Sequence, residues 1–225
     1  MQAYNCPSCG AAIKFQSPIS VTCVCPFCRS LIVRKDKDVE AMGKVAELPD
    51  DISPFQIGTQ GIYNGTHFGV IGRLKIGWED GCWNEWFIYT DSGKKGWLEE
   101  AQGFLAISFE ETLPDSVKRD LQSAKLGKPI NFNSKRFRIA DIKQAKCISA
   151  EGELPLIAPR EGRSTVIDLI SRDGGFASAE LDNDSAHFYV GEYVEFDQLH
   201  FSQLRDLPGW TIPRSPVSTG IKSHG

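Results

Sequence analysis

Tyr63-Asn64-Gly65-Thr66-His67-Phe68-Gly69-Val70 returns, 69 positions later, as Phe132-Asn133-Ser134-Lys135-Arg136-Phe137-Arg138-Ile139. At this offset Tyr63 lies on Phe132, Asn64 on Asn133, Phe68 on Phe137 and Val70 on Ile139, and upstream Gly58 lies on Gly127. Each half then continues with an apolar run (Trp86-Phe87-Ile88-Tyr89; Val166-Ile167-Asp168-Leu169), a polar turn (Asp91-Ser92-Gly93; Arg172-Asp173-Gly174) and further short strands. The second half is longer, mostly through an insertion around Gly152 to Gly162. The pattern predicts a duplicated small antiparallel β domain, with repeats at 55–112 and 126–206. Neither unit alone closes its apolar face, so the two pack side by side or face to face.

The remaining segments fit around this repeat. Between the halves, Val117, Leu121 and Ala124 are spaced for a short amphipathic helix, making 113–125 a connector. Mixed charge in Arg34-Lys35-Asp36-Lys37-Asp38-Val39-Glu40 reads as the start of a linker over 35–54, and 207–225 as a poorly packed tail. The composition agrees: 13 Phe, 5 Trp and 5 Tyr beside 21 Gly and 12 Pro favour short strands and tight turns over long helices.

Residues 1–34 read as a zinc ribbon. Cys6-Pro7-Ser8-Cys9 and Cys25-Pro26-Phe27-Cys28 are two C-x-x-C turns facing one another across a short hairpin, the donor set of a tetrahedral structural zinc. Iron in a rubredoxin-like site is the alternative. Proline after the first cysteine of each pair fixes φ for the turn. Gly10 supplies the positive φ that follows the first knuckle, and Arg29 stands at the matching place in the second. Strands are predicted at Ala12–Phe15, Ser20–Cys23 and Leu31–Val33. Cys23 is a fifth thiol, two residues before a ligand. A module of this size buries too little apolar surface to fold alone, so zinc would supply much of its folding free energy.

Charge and hydropathy narrow the function classes. The net charge is -4, with +3 in residues 1–44, less basic excess than a general nucleic-acid binder carries. Contact with nucleic acid would rest on Lys14, Arg29, Arg34, Lys35 and Lys37 of the ribbon. No apolar run reaches the ~18 residues of a membrane helix. An odd number of cysteines with thiolate ligands fits a reducing compartment, so the expectation is a soluble cytoplasmic protein.

The densest patch of unusual residues is Trp78-Glu79-Asp80-Gly81-Cys82-Trp83-Asn84-Glu85-Trp86. It reads first as a hairpin turning at Glu79-Asp80-Gly81, with Trp86, Ile88 and Thr90 on one face and Phe87 and Tyr89 on the other. Its other reading is a ligand or partner surface built from Trp78, Trp83, Glu85 and Trp86, with a carboxylate beside an aromatic floor. His67 and His187 read as half-buried packing. With no convergent catalytic set, the leading expectation is a binding or adaptor protein with a protein partner; an enzyme or small-ligand sensor centred on Trp83, Glu85 and Trp86 is the rival.

Four motifs carry a family resemblance: Trp83-Asn84-Glu85-Trp86-Phe87, Gly96-Trp97-Leu98, Gly152-Glu153-Leu154-Pro155 and Val190-Gly191-Glu192-Tyr193-Val194. They resemble those of the bacterial domain-of-unknown-function family 4178, in two copies from about Phe55 to Leu204. The resemblance implies that an N-terminal zinc ribbon commonly accompanies the domain, and implies a role in an envelope or stress-linked system. It implies no catalytic residues.

Overall fold

The computed structural model describes residues 2–35, 38–48, 51–158, 162–182 and 185–213, and the chain is mainly antiparallel β. The N-terminal strands are β1 (Gln2–Asn5), β2 (Ala12–Phe15), β3 (Thr22–Val24), β4 (Ser30–Lys35) and β5 (Asp38–Lys44). Five more follow: β6 (Gln60–Tyr63), β7 (Thr66–Trp78), β8 (Gly81–Thr90), β9 (Lys95–Ala101) and β10 (Phe104–Glu110). Helix α1 (Asp115–Gln122) leads into β11 (Pro129–Phe132), β12 (Lys135–Leu154), β13 (Ser164–Ser171), β14 (Gly175–Leu181) and β15 (Ala186–Val194). Among the described residues no helix is long and apolar enough to cross a membrane.

The repeat is visible in hydrogen bonds. Asn64 and Gly65 turn β6 into β7, Asn133 and Ser134 turn β11 into β12, and all four have positive φ, as a two-residue hairpin requires. The Gly58 N–H donates to the Val70 carbonyl at 2.8 Å, and the Gly127 N–H to the Ile139 carbonyl at 2.8 Å. The return bonds match as well, from Val70 to Thr59 at 2.8 Å and from Ile139 to Lys128 at 3.0 Å.

The two units do not pack as separate domains. Strand β10 pairs with β15, and β12 pairs back onto β7, so β7-β8-β9-β10-β15-β14-β13-β12 closes into an eight-stranded ring. Closure gives each unit's open edges a partner, which neither unit could do alone. A glycine sits at each seam. A Cβ on Gly72 would lie 1.8 Å from the Glu153 carbonyl oxygen, and one on Gly191 would lie 1.7 Å from that of Ile107. No side chain fits at either place.

Both faces of the ring are covered. Outside, Trp86, Ile88, Leu98 and Ile107 are buried beneath Phe55, Leu199 and Phe201, while Ile167, Leu169, Ala177 and Phe188 lie beneath Val117 and Leu121 of α1. Ala124 packs against the same cluster, so the predicted amphipathic spacing does cover a core. Inside, Phe87 and Trp97 meet Leu74, Ile76 and Ala145.

The N-terminal strands differ from expectation in two ways. Strands β2 and β3 are not arms of one hairpin: β2 pairs with β1, and β3 pairs with β4 on one side and β12 on the other. Residues 38–44, expected within a linker, form β5, because the ribbon's exposed β4 edge accepts another strand. Lys37 and the tail beyond residue 213 lie outside the described residues.

Candidate functional site

Four sulfurs gather at one point of the N-terminal module. Those of Cys6, Cys9, Cys25 and Cys28 all lie within 4.8 Å of one another, with Cys6–Cys28 at 3.7 Å and Cys9–Cys25 at 3.8 Å. Four thiolates at ~2.3 Å from a central tetrahedral ion stand ~3.8 Å apart, so the donor set fits such an ion. The two knuckles are built alike. Gly10 N–H donates to Cys6 O at 2.8 Å, Arg29 N–H to Cys25 O at 2.9 Å, and both residues have positive φ. A left-handed residue other than glycine costs ~1–2 kcal/mol. Arg29 offsets this by donating its guanidinium to the carbonyls of Val45 and Ala46. Hydrogen bonds from the Ser30 side chain and backbone pull the Cys28 thiol down to about 6, favouring the thiolate. Cys23 stays apart: it is buried, its sulfur faces the Val24 carbonyl at 3.6 Å, and burial pushes its pKa up to about 12.

The second site is the ring's interior, which encloses a cavity of about 330 Å³. Its walls combine Trp97 and Tyr189 with four acidic residues, Glu85, Glu99, Glu180 and Asp182, and two basic ones, Lys146 and Arg163. Glu85 on β8 and Glu99 on β9 are directly paired in register. Trp83 donates its indole N–H to Glu85 at 2.9 Å, and Ser108 donates its hydroxyl to Glu99 at 3.0 Å. Burial, followed by the charges of Glu180 and Asp168, raises Glu85 from 4.5 to about 8. Burial and the Glu85 charge hold Glu99 well above the carboxylate range. Asp168 is raised by burial too, although Lys143 opposes this from 3.7 Å. Cys147, on the wall, is pushed up to about 12 by burial and then by Glu85. At the rim, His187 lies 3.2 Å from Glu110, which also pairs with Lys95.

Of the residues expected at a ligand surface, the structure brings together Trp83 and Glu85 and separates the others. Trp78 packs at the edge of the inner cluster, its ring 5.2 Å from the Lys143 ammonium. Trp86 faces the opposite way and is fully buried, as its alternation with Glu85 demands. Its N–H donates to Glu100 at 3.1 Å, and the Arg73 guanidinium covers its ring at 4.6 Å. Arg73 belongs to a buried ion network with Asp51, Lys75, Asn84 and Glu151 that pins the segment before β6 to the barrel. Glu79 and Asp80 are exposed in the turn. Glu99 and Glu180 went unrecognised in the sequence. The available signal for Glu99 was its alternation with Trp97 in Gly96-Trp97-Leu98-Glu99.

The basic residues of the ribbon are largely engaged. Arg29 is held as described, Arg34 donates to the Ser17 and Pro18 carbonyls over the Phe15 ring, and Lys35 pairs with Glu40.

No curated protein and no solved structure matches the chain. A family does: the one described as domain of unknown function (DUF4178) matches residues 56–196, from just before β6 to just past β15. The match is a single copy running through both five-strand units, where the sequence resemblance implied two. The closed ring gives the physical reason, since it takes both units to complete one barrel. The chain belongs to the domain of unknown function (DUF4178) family.

Proposed function

We propose that this protein is a small-ligand-binding β-barrel whose ligand carries a positive charge, with a zinc ribbon built onto its side. One observation carries the reading: Glu85 and Glu99 oppose each other across neighbouring strands inside a cavity of about 330 Å³. Like charges in directly opposed positions weaken a sheet, and buried carboxylates cost more still. A cation placed between them offsets both costs, and the Trp97 and Tyr189 rings add attraction through their faces. This is the small-ligand reading of the Trp83–Glu85 region, with Glu99 and Glu180 in place of Trp86. Zinc is the metal we assign to Cys6, Cys9, Cys25 and Cys28, on sulfur spacing and an all-thiolate donor set. It would hold the module together, and thiolate ligation favours a reducing compartment such as the cytoplasm. The matched hairpins support an internal duplication as the origin of the barrel.

The test uses three probes of one size: benzylammonium, benzyl alcohol and benzoate. Ligand-observed NMR on the full chain is expected to show benzylammonium bound, with at least tenfold weaker binding to Glu85→Gln/Glu99→Gln. Benzoate binding as well as benzylammonium, or a cation signal unchanged in the double variant, would refute the reading.

A further inference from the structure

The ribbon and the cavity share a wall, and the join is made by the last residues of β12. Glu153 pairs with Cys23 and Leu154 with Thr22, placing β3, which runs directly into Cys25, alongside the barrel. Beyond the strand, the Val21 N–H donates to the Leu154 carbonyl at 2.8 Å and the Thr22 hydroxyl to the Leu156 carbonyl at 2.7 Å. Leu156 and Ala158 then line the cavity. Val24 and Leu31 of the ribbon, with Val45 just past β5, lie in the same apolar cluster as Leu74, Ile76 and Trp97.

Glu153 is the least replaceable part of this join. Its carboxylate is 2% exposed and accepts three hydrogen bonds, from the Gln16 N–H at 2.6 Å, the Ser17 N–H at 3.1 Å and the Ser20 hydroxyl at 2.7 Å. All three donors belong to the β2–β3 connection, which lies between the two cysteine knuckles. The ribbon's own core is Cys6, Ile13, Cys25 and Ile32, so its order depends on what the sulfurs hold. If the ribbon loosens, Glu153 loses all three of its donors, and the segment 154–158 loses its outer support.

We infer that metal occupancy of the four-cysteine centre controls the order of the cavity wall at 154–158, and hence access to the barrel interior. By linkage, whatever fills the cavity tightens metal binding by the same factor. This rests on the cavity as the binding site, but its direct test needs no ligand. Failure of the benzylammonium experiment would remove the ligand and leave the coupling standing.

The experiment is hydrogen exchange by mass spectrometry on the full chain, comparing zinc-loaded protein, chelated protein and chelated protein given back one equivalent of zinc. Chelation is expected to speed exchange at 154–158 at least tenfold and zinc to restore it, while β10 and β15, on the opposite side of the ring, remain protected. Glu153→Gln is expected to keep its metal yet exchange at least tenfold faster at 154–158. Unchanged protection at 154–158 after verified metal loss would overturn the inference. So would loss of protection across the whole barrel, which would make the metal a global folding ligand, or wild-type exchange in Glu153→Gln.

Discussion

Glu85 and Glu99 occupy directly opposed positions on β8 and β9 and both face the barrel interior. A sheet stabilised only for its own sake would place an apolar or oppositely charged pair there. Burial and mutual repulsion keep at least one of the two carboxyls protonated near neutral pH, so the pair both donates and accepts hydrogen bonds.

The pair should impose a pH dependence on stability. Glu85 titrates at about 8 in the folded chain against 4.5 ordinarily, so between those values the folded state holds the extra proton. Stability therefore falls as pH rises through that window and levels off above it. Glu85→Gln is expected to flatten the fall and to be more stable than wild type at pH 8, by roughly 2–4 °C in Tm for each kcal/mol relieved. Melts followed by circular dichroism between pH 5 and 8.5 check this; parallel wild-type and variant curves would count against it.

Asp51 should show the opposite sign. Burial alone would raise its pKa, but the Lys75 hydrogen bond and the Arg73 charge hold it below the ordinary value. Its contribution is present above pH ~4 and is lost as pH falls through the folded value. Arg73 and Lys75 are 2% and 5% exposed; Asp51→Ala strands Lys75 and leaves Arg73 to Glu151 and Asn84, and is expected to cost ~3–5 kcal/mol in urea denaturation.

The two tryptophans flanking Glu85 should separate stability from binding. Trp86→Phe loses the bond to Glu100 and weakens the Arg73 stack outside the barrel, costing ~1–2 kcal/mol with benzylammonium binding unchanged. Trp83→Phe removes a hydrogen bond that lowers the Glu85 pKa, so the carboxyl should titrate higher and bind the cation more weakly.

Elemental analysis should distinguish the five N-terminal cysteines. Wild type is expected to carry one zinc per chain and Cys25→Ser to lose it. Cys23→Ala, outside the sulfur cluster, should keep the full equivalent.

Much of this was legible in the sequence, and the limits have a physical origin. Cys6, Cys9, Cys25 and Cys28 announce themselves because four thiolates at fixed local spacing have few other uses. The offset joining Asn64 to Asn133 marked the repeat because equivalent turns keep equivalent residues. Ring closure was not readable: which edges meet depends on strand pairs distant in the chain, and Gly72 and Gly191 reveal their role only where a second backbone approaches. Alternation within β8 correctly separated Trp86 from Phe87. Placing Glu99 opposite Glu85 needed the β8–β9 register, and no single strand contains that.

A carboxyl pair that recognises a cation inside the barrel must change its titration when the cation binds, and carbon-13 NMR of side-chain-labelled glutamate reads that change, with Glu85→Gln providing the assignment. Glu85 is expected to titrate at about 8 in the free protein and to fall toward the ordinary carboxylate range when benzylammonium saturates the cavity. A Glu85 signal titrating at 4–5 and indifferent to the cation would rule out cation recognition by this pair.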